Sequence, residues 1–231
     1  MNDKFFPIEE SRKNDLINNA NKVSIVNYLL TSYPLPEGHY LLRLQNFVNS
    51  MLWFHCLETR EFIGLESGVY NLDEYIIKNN MVYDFSDFLD TVSNQKFSFV
   101  EPVQNDKILF CNINGHHIPF DSIASTGTQS LMLLYFWMKR MGQASFVFID
   151  EFDAFYHFKL SFEVCKRLFH LNCQAFASSH NTYLMTNDLL RPDCNFIVND
   201  NKIKALCDCT DKELRIGLNI EKLYRGNTFQ V

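Results

Sequence analysis

An α/β fold is what this 231-residue sequence predicts: a parallel sheet with flanking helices, preceded by a mostly helical region. Three observations point there. Apolar residues recur at helical spacing before residue 95, short β-branched and aromatic runs alternate with helical patterns after it, and Phe146-Val147-Phe148-Ile149 runs straight into Asp150 and Glu151. Alternation of strand and helix implies parallel strands joined by crossovers, and a sheet covered on both faces.

Residues 9–31 carry Leu16, Ala20, Val23 and Leu30 at helical spacing, and Tyr40 to His55 does the same with Leu41, Leu44, Val48, Met51, Leu52 and His55. Trp53 and Phe54 then fall on a helix face as core or lid packing. Between the two helices, Tyr33-Pro34-Leu35-Pro36-Glu37-Gly38 reads as a turn, because each proline fixes φ and removes a donor. Further helices are expected at Leu72 to Lys78 and Phe85 to Val92, with Asp84 or Ser86 as caps. Residues 1–95 thus read as a helical, lid-like region and residues 96–231 as a C-terminal α/β lobe.

In the second region, Phe97 to Val100, Lys107 to Ile113 and His116 to Phe120 read as strands, the last two joined by Asn114-Gly115, a strong hairpin signal. A helix follows Ser125 to about Met141, then a strand Ser145 to Ile149, a helix Tyr156 to Leu171 and a strand Cys173 to Ala177. A short helix near Tyr183 to Leu190 precedes a hairpin through Phe196 to Val198 and Ile203 to Leu206.

Composition narrows the function classes. With 27 acidic residues against 21 lysines and arginines, the net charge of -6 argues against a surface built wholly to grip nucleic acid. A local basic tail remains, with Lys202, Lys204, Lys212, Arg215, Lys222 and Arg225, and reads as a solvated face. The longest apolar run, Leu131 to Met138, is far short of the ~20 residues that span a bilayer, and Met1-Asn2-Asp3-Lys4 lacks a signal peptide's order, so a cytoplasmic protein without a membrane partner is expected. Seven cysteines with no C-x-x-C pair suggest reduced thiols, Cys207 and Cys209 being the one pair to consider for metal. His116 and His117 read as a strand start. Only 8 residues are glycine while 22 are phenylalanine, so phosphate-cradling loops are scarce and the interior is aromatic.

Three short segments carry chemistry. Four apolar residues followed by Asp150 and Glu151 look like a buried strand that delivers carboxylates at its C-terminal end, where open parallel sheets bind ligands. The pattern resembles a Walker B motif; the alternative is a strand ending in a solvated turn. Ser125-Thr126-Gly127-Thr128, ahead of an apolar helix, suits an anion site at a helix N-terminus or simply an N-cap. Ala175-Phe176-Ala177 ends in Ser178-Ser179-His180-Asn181, where the histidine is either a ligand sensor or structural. The three occur in the order turn, acid pair, histidine.

With that order and spacing, the segment from about Ile118 to Phe229 resembles the C-terminal half of an ABC-type ATPase head of the AAA-family group related to RecF, SMC and OLD proteins. Ser125-Thr126-Gly127-Thr128 is similar to their signature, Phe146 to Glu151 to Walker B, Asp153-Ala154 to the D-loop and His180 to the switch histidine. Residues 187–193, 210–215 and 221–225 resemble the closing part of bacterial members of that group. The resemblance implies a P-loop NTPase sheet, ATP and Mg²⁺ as cofactors, Asp150 as the Mg²⁺ ligand, Glu151 as general base and His180 as γ-phosphate contact. It also implies Asp153 at a dimer seam and Ser125, Gly127 and Thr128 on the γ-phosphate of a nucleotide held by a partner ATPase subunit, a second copy or a complete homologue, with coupling to nucleic acid or an effector protein in defence or repair.

One departure stands out. None of the eight glycines is followed by lysine, so no G-x-x-x-x-G-K-[S/T] loop is present. The chain is therefore expected to correspond to a family member without its Walker A lobe and to bind ATP weakly alone. Two other functions compete: a non-catalytic module that complements a complete ATPase, and a metal-dependent hydrolase using Asp150, Glu151, Asp153, His157 and His180.

Overall fold

A computed structural model describes residues 24–32, 34–55, 63–64, 71–103 and 106–230, together with Asn14. The chain divides into two compact units, residues 1–50 and 51–231, so the change of character near residue 95 falls inside the second.

In the first unit, helices α1 (Ile25–Ser32) and α2 (Tyr40–Asn49) are joined by the expected proline turn, with Gly38 at φ +82°. Leu29 and Leu41 are buried there, with Leu30 and Leu35 packed against them. The Nδ1 of His39 accepts from the Leu41 amide at 3.2 Å and caps α2. The helix expected over residues 9–31 lies outside the described residues up to Val23, apart from Asn14.

The helix expected over Tyr40 to His55 is corrected. It stops at Asn49, where the Ser50 hydroxyl donates to the Asn46 carbonyl at 2.7 Å, and Met51–His55 forms strand β1. Pairing in parallel with the strand that carries Asp150 overrides the helical spacing. Trp53 and Phe54 are therefore strand residues on opposite faces of the sheet.

After β2 (Ile63–Gly64) come α3 (Leu72–Lys78), α4 (Val82–Ser93), the hairpin of β3 (Phe110–Ile113) and β4 (His116–Pro119), α5 (Phe120–Ile123) and α6 (Thr126–Met141). Then follow β5 (Phe146–Asp150), α7 (Phe158–Leu168), β6 (Gln174–Ala177), the hairpin of β7 (Phe196–Asn199) and β8 (Lys202–Ala205), and α8 (Ile220–Arg225). Asn114 and Gly115, at φ +52° and +86°, make the expected tight turn between β3 and β4. Three expectations do not hold: Phe97 to Val100 pairs only through a Phe99–Cys111 bridge, Tyr183 to Leu190 holds a 3-10 turn, Thr182–Leu184, rather than an α-helix, and neither Asp84 nor Ser86 caps α4. Asp84 is instead drawn to Lys139 and Tyr135, and the Ser86 hydroxyl donates to the Phe97 carbonyl at 3.2 Å.

The main sheet has the order β2-β1-β5-β6, with β1, β5 and β6 parallel and β2 antiparallel at one edge. Leu52, Phe54, Val147 and Ile149 share one face and are buried against α6 and α7, with Phe54 and Trp137 ring centroids 5.0 Å apart. The opposite face is aromatic and only half-covered: Trp53 is 41% exposed, and Phe146, Phe148 and Phe176 are half-buried. Among the described residues, then, the sheet is not covered on both faces, against expectation, and the cause is topological. The steps from β1 to β5 and from β5 to β6 run in one direction, and right-handed crossovers taken in one direction put their helices on the same face.

Candidate functional site

Register alone aligns the chemistry. Asp150 is the last residue of β5, on the same face as Phe146 and Phe148, at the C-terminal end where the three parallel strands stop together. Ser178 follows β6 directly and stands on that same face beside it. Its hydroxyl donates to Asp150 Oδ1 and accepts from the Glu151 amide at 2.8 Å. The chain then turns sharply: Glu151 sits at φ +48°, in the left-handed region that favours glycine.

That turn sends Glu151 into solvent, where its Oε1 is 3.8 Å from His180 Nε2. Asp153, two residues on, accepts from the Ser179 hydroxyl at 2.8 Å. Asp150, Glu151, Asp153 and His180 are therefore gathered by two adjacent strand ends. Ser178 and Ser179 are the site residues that spacing did not single out. A run of small hydroxylic residues just beyond a strand was their only signal.

The Ser125 segment is built separately and docked onto this turn. Ser125 caps α6: its Oγ accepts from the Thr128 amide at 3.2 Å and lies 2.8 Å from the Thr128 hydroxyl. Thr128 is buried, and its hydroxyl donates on to Gln95 Oε1 at 3.0 Å. Gly127 lies so close to the turn after Glu151 that a Cβ would stand 3.0 Å from the Phe155 carbonyl oxygen. One helical turn later, the Ser130 and Tyr156 hydroxyls are 2.8 Å apart. Burial pushes the Tyr156 phenol far above its ordinary pKa, so it stays protonated as part of this clamp.

The donor set fits Mg²⁺. Asp150 offers a hard carboxylate oxygen, and among the described residues no three His, Cys, Asp or Glu side chains gather into a metal-binding group. Mg²⁺ commonly takes one or two carboxylates and completes its shell with water and substrate phosphates, so the Asp150 carboxylate fits it. His157 is occupied otherwise, its Nδ1 accepting from the Leu160 amide at 3.3 Å to cap α7. The six described cysteines are free thiols; Cys209 is buried and donates to the Ala205 carbonyl at 3.3 Å, whereas Cys207 is exposed.

Among the described residues no helix is long and apolar enough to cross a membrane. No curated protein and no solved structure matches the chain. A family model described as an AAA domain, putative AbiEii toxin of a type IV toxin–antitoxin system, matches residues 3–186, a span that takes in Ser125, the acid pair and His180.

Proposed function

The chain belongs to this AAA domain family, whose members are nucleotide-binding, ATPase-like proteins, and we propose that it forms the hydrolytic half of an ABC/SMC/RecF-like ATPase head. The observation that carries the proposal is the convergence of Asp150, Glu151 and His180 at the C-terminal end of a parallel sheet. Bound Mg²⁺ and ATP would supply the scissile phosphoanhydride and the charge that polarises it. Asp150 holds the cation through its carboxylate. Glu151, exposed on its turn, orients and deprotonates a water, and His180, within reach of Glu151, hydrogen-bonds the γ-phosphate. Ser125 and Gly127 present the N-terminus of α6 to a phosphate held by a partner subunit, with Thr128 fixing Ser125 and Asp153 lining the seam.

The phosphate loop comes from outside the described residues, and the sheet has a position for it. Among those residues β6 pairs only with β5, so its outer edge is open. A strand laid parallel on that edge and returning toward β1 steps in the reverse direction. The right-handed rule then lays its following helix on the aromatic face of Trp53, Phe148 and Phe176, with the helix N-terminus beside Asp150. The partner is an ATPase subunit of the same type, and the family's description makes a toxin-like effector role the setting.

ATP turnover measured with and without a homologue that carries the phosphate loop tests this. The chain alone should bind ATP more weakly than micromolar and turn over none, whereas the mixture should hydrolyse it. Glu151→Gln should lower that turnover by about 10²-fold or more while preserving nucleotide-dependent association, because it removes the base and keeps the cation ligand. If the mixture stimulates turnover equally well with Glu151→Gln, the chain is the non-catalytic complementing module. Micromolar ATP affinity for the chain alone would overturn the need for an external loop.

A further inference from the structure

We propose that Ser178 is the positioning residue that couples the cation-binding acid to the water-activating acid; the proposal rests on the roles assigned above to Asp150 and Glu151. Ser178 bonds to four consecutive residues of the neighbouring strand end. Its amide donates to the Ile149 carbonyl at 2.9 Å, its hydroxyl donates to Asp150 Oδ1 and accepts from the Glu151 amide at 2.8 Å, and its carbonyl accepts from the Phe152 amide at 3.2 Å. The two backbone bonds survive removal of the hydroxyl; the two hydroxyl bonds do not.

A hydroxyl has a single proton. Giving it to Asp150 leaves lone pairs free for the Glu151 N–H, so both bonds form together. The first engages Oδ1 and fixes the orientation of the carboxylate that would hold the cation. The second holds the amide of a residue whose φ of +48° a non-glycine side chain resists. The same oxygen therefore sets the angle of the carboxylate and the exit direction of Glu151 toward His180.

Hydroxyl removal should be felt at both acids. In the full chain without nucleotide, Ser178→Ala should raise amide exchange at Glu151 by about 3–10-fold, as expected for one lost hydrogen bond, leaving exchange in β5 unchanged. In the mixture with the loop-bearing homologue, the same substitution should raise the Mg²⁺ concentration for half-maximal rate and lower kcat by about 10–100-fold, with KM for ATP unmoved. Ser178→Thr, which keeps the hydroxyl, should restore both. Equal losses in Ser178→Thr and Ser178→Ala, or unchanged exchange at Glu151 alongside active ATPase, would overturn the proposal and leave the ATPase function standing. A wild-type mixture without turnover would sink the functional reading, and with it the coupling of the acids, whatever the exchange data show.

Discussion

Asp84 shows how much a single carboxylate on the helical side of the fold settles. It receives the Lys139 ammonium at 2.6 Å and the Tyr135 hydroxyl, tying α4 to α6. Lys139 first and Tyr135 second hold the Asp84 carboxyl below its ordinary pKa, while burial and the Asp84 charge push the Tyr135 phenol far up, so it remains a donor. A depressed folded-state pKa gives stability that is present above the unfolded value of about 4 and is lost as pH falls through the folded one. Urea melts of Asp84→Asn should show less loss of stability on acidification below about pH 4 than the wild type. The difference should be only about 0.5 kcal/mol, because the carboxylate is more than half exposed and screened. Tyr135→Phe, at a residue 2% exposed, should cost about 1 kcal/mol at neutral pH.

Glu151 behaves in the opposite way. Its φ of +48° costs a non-glycine residue about 1 kcal/mol, so Glu151→Gly should raise the melting temperature of the chain while removing its proposed base. A higher Tm with no turnover in the reconstituted mixture is the expected result.

At the scale of elements, the N-terminus of α6 and the turn after β5 act as one piece. Gly127→Ala would drive a Cβ to 3.0 Å from a backbone oxygen that cannot rotate away, so it should lower the urea midpoint by about 1 kcal/mol at unchanged m. Much of this region was readable beforehand. The Ser125 cap, the apolar body of α6, the β5 strand with its acids and the Asn-Gly hairpin are local signals, each carried by adjacent residues. What could not be read was long-range. Met51, Leu52 and His55 fit a helical spacing that begins at Leu41 as well as they fit a strand, and only pairing with β5 decides between them. Likewise Ser178 lies 28 residues from Asp150, a separation that no local pattern spans.

At the scale of the molecule, the sheet's two faces differ in a way that its two tryptophans report. Trp137 is 2% exposed on the packed side and Trp53 41% exposed on the aromatic side. Trp137→Phe should leave red-shifted, readily quenched emission from Trp53, and Trp53→Phe should leave blue-shifted, protected emission from Trp137. On mixing with the loop-bearing homologue, the Trp53 signal alone should shift to the blue, since a helix laid on that face covers it.

The outer edge of β6, unpaired among the described residues, also carries a constraint of symmetry. Two copies joined through this edge by a two-fold axis and ladder bonds run their β6 strands antiparallel, which sends their acid pairs to opposite ends of the joint sheet. Such a dimer would consume the edge and complete neither site. A productive neighbour must run parallel to β6 and therefore present a different strand from the one it meets. Edge pairing there discriminates by direction: two copies meeting β6 to β6 across a two-fold axis only sequester one another.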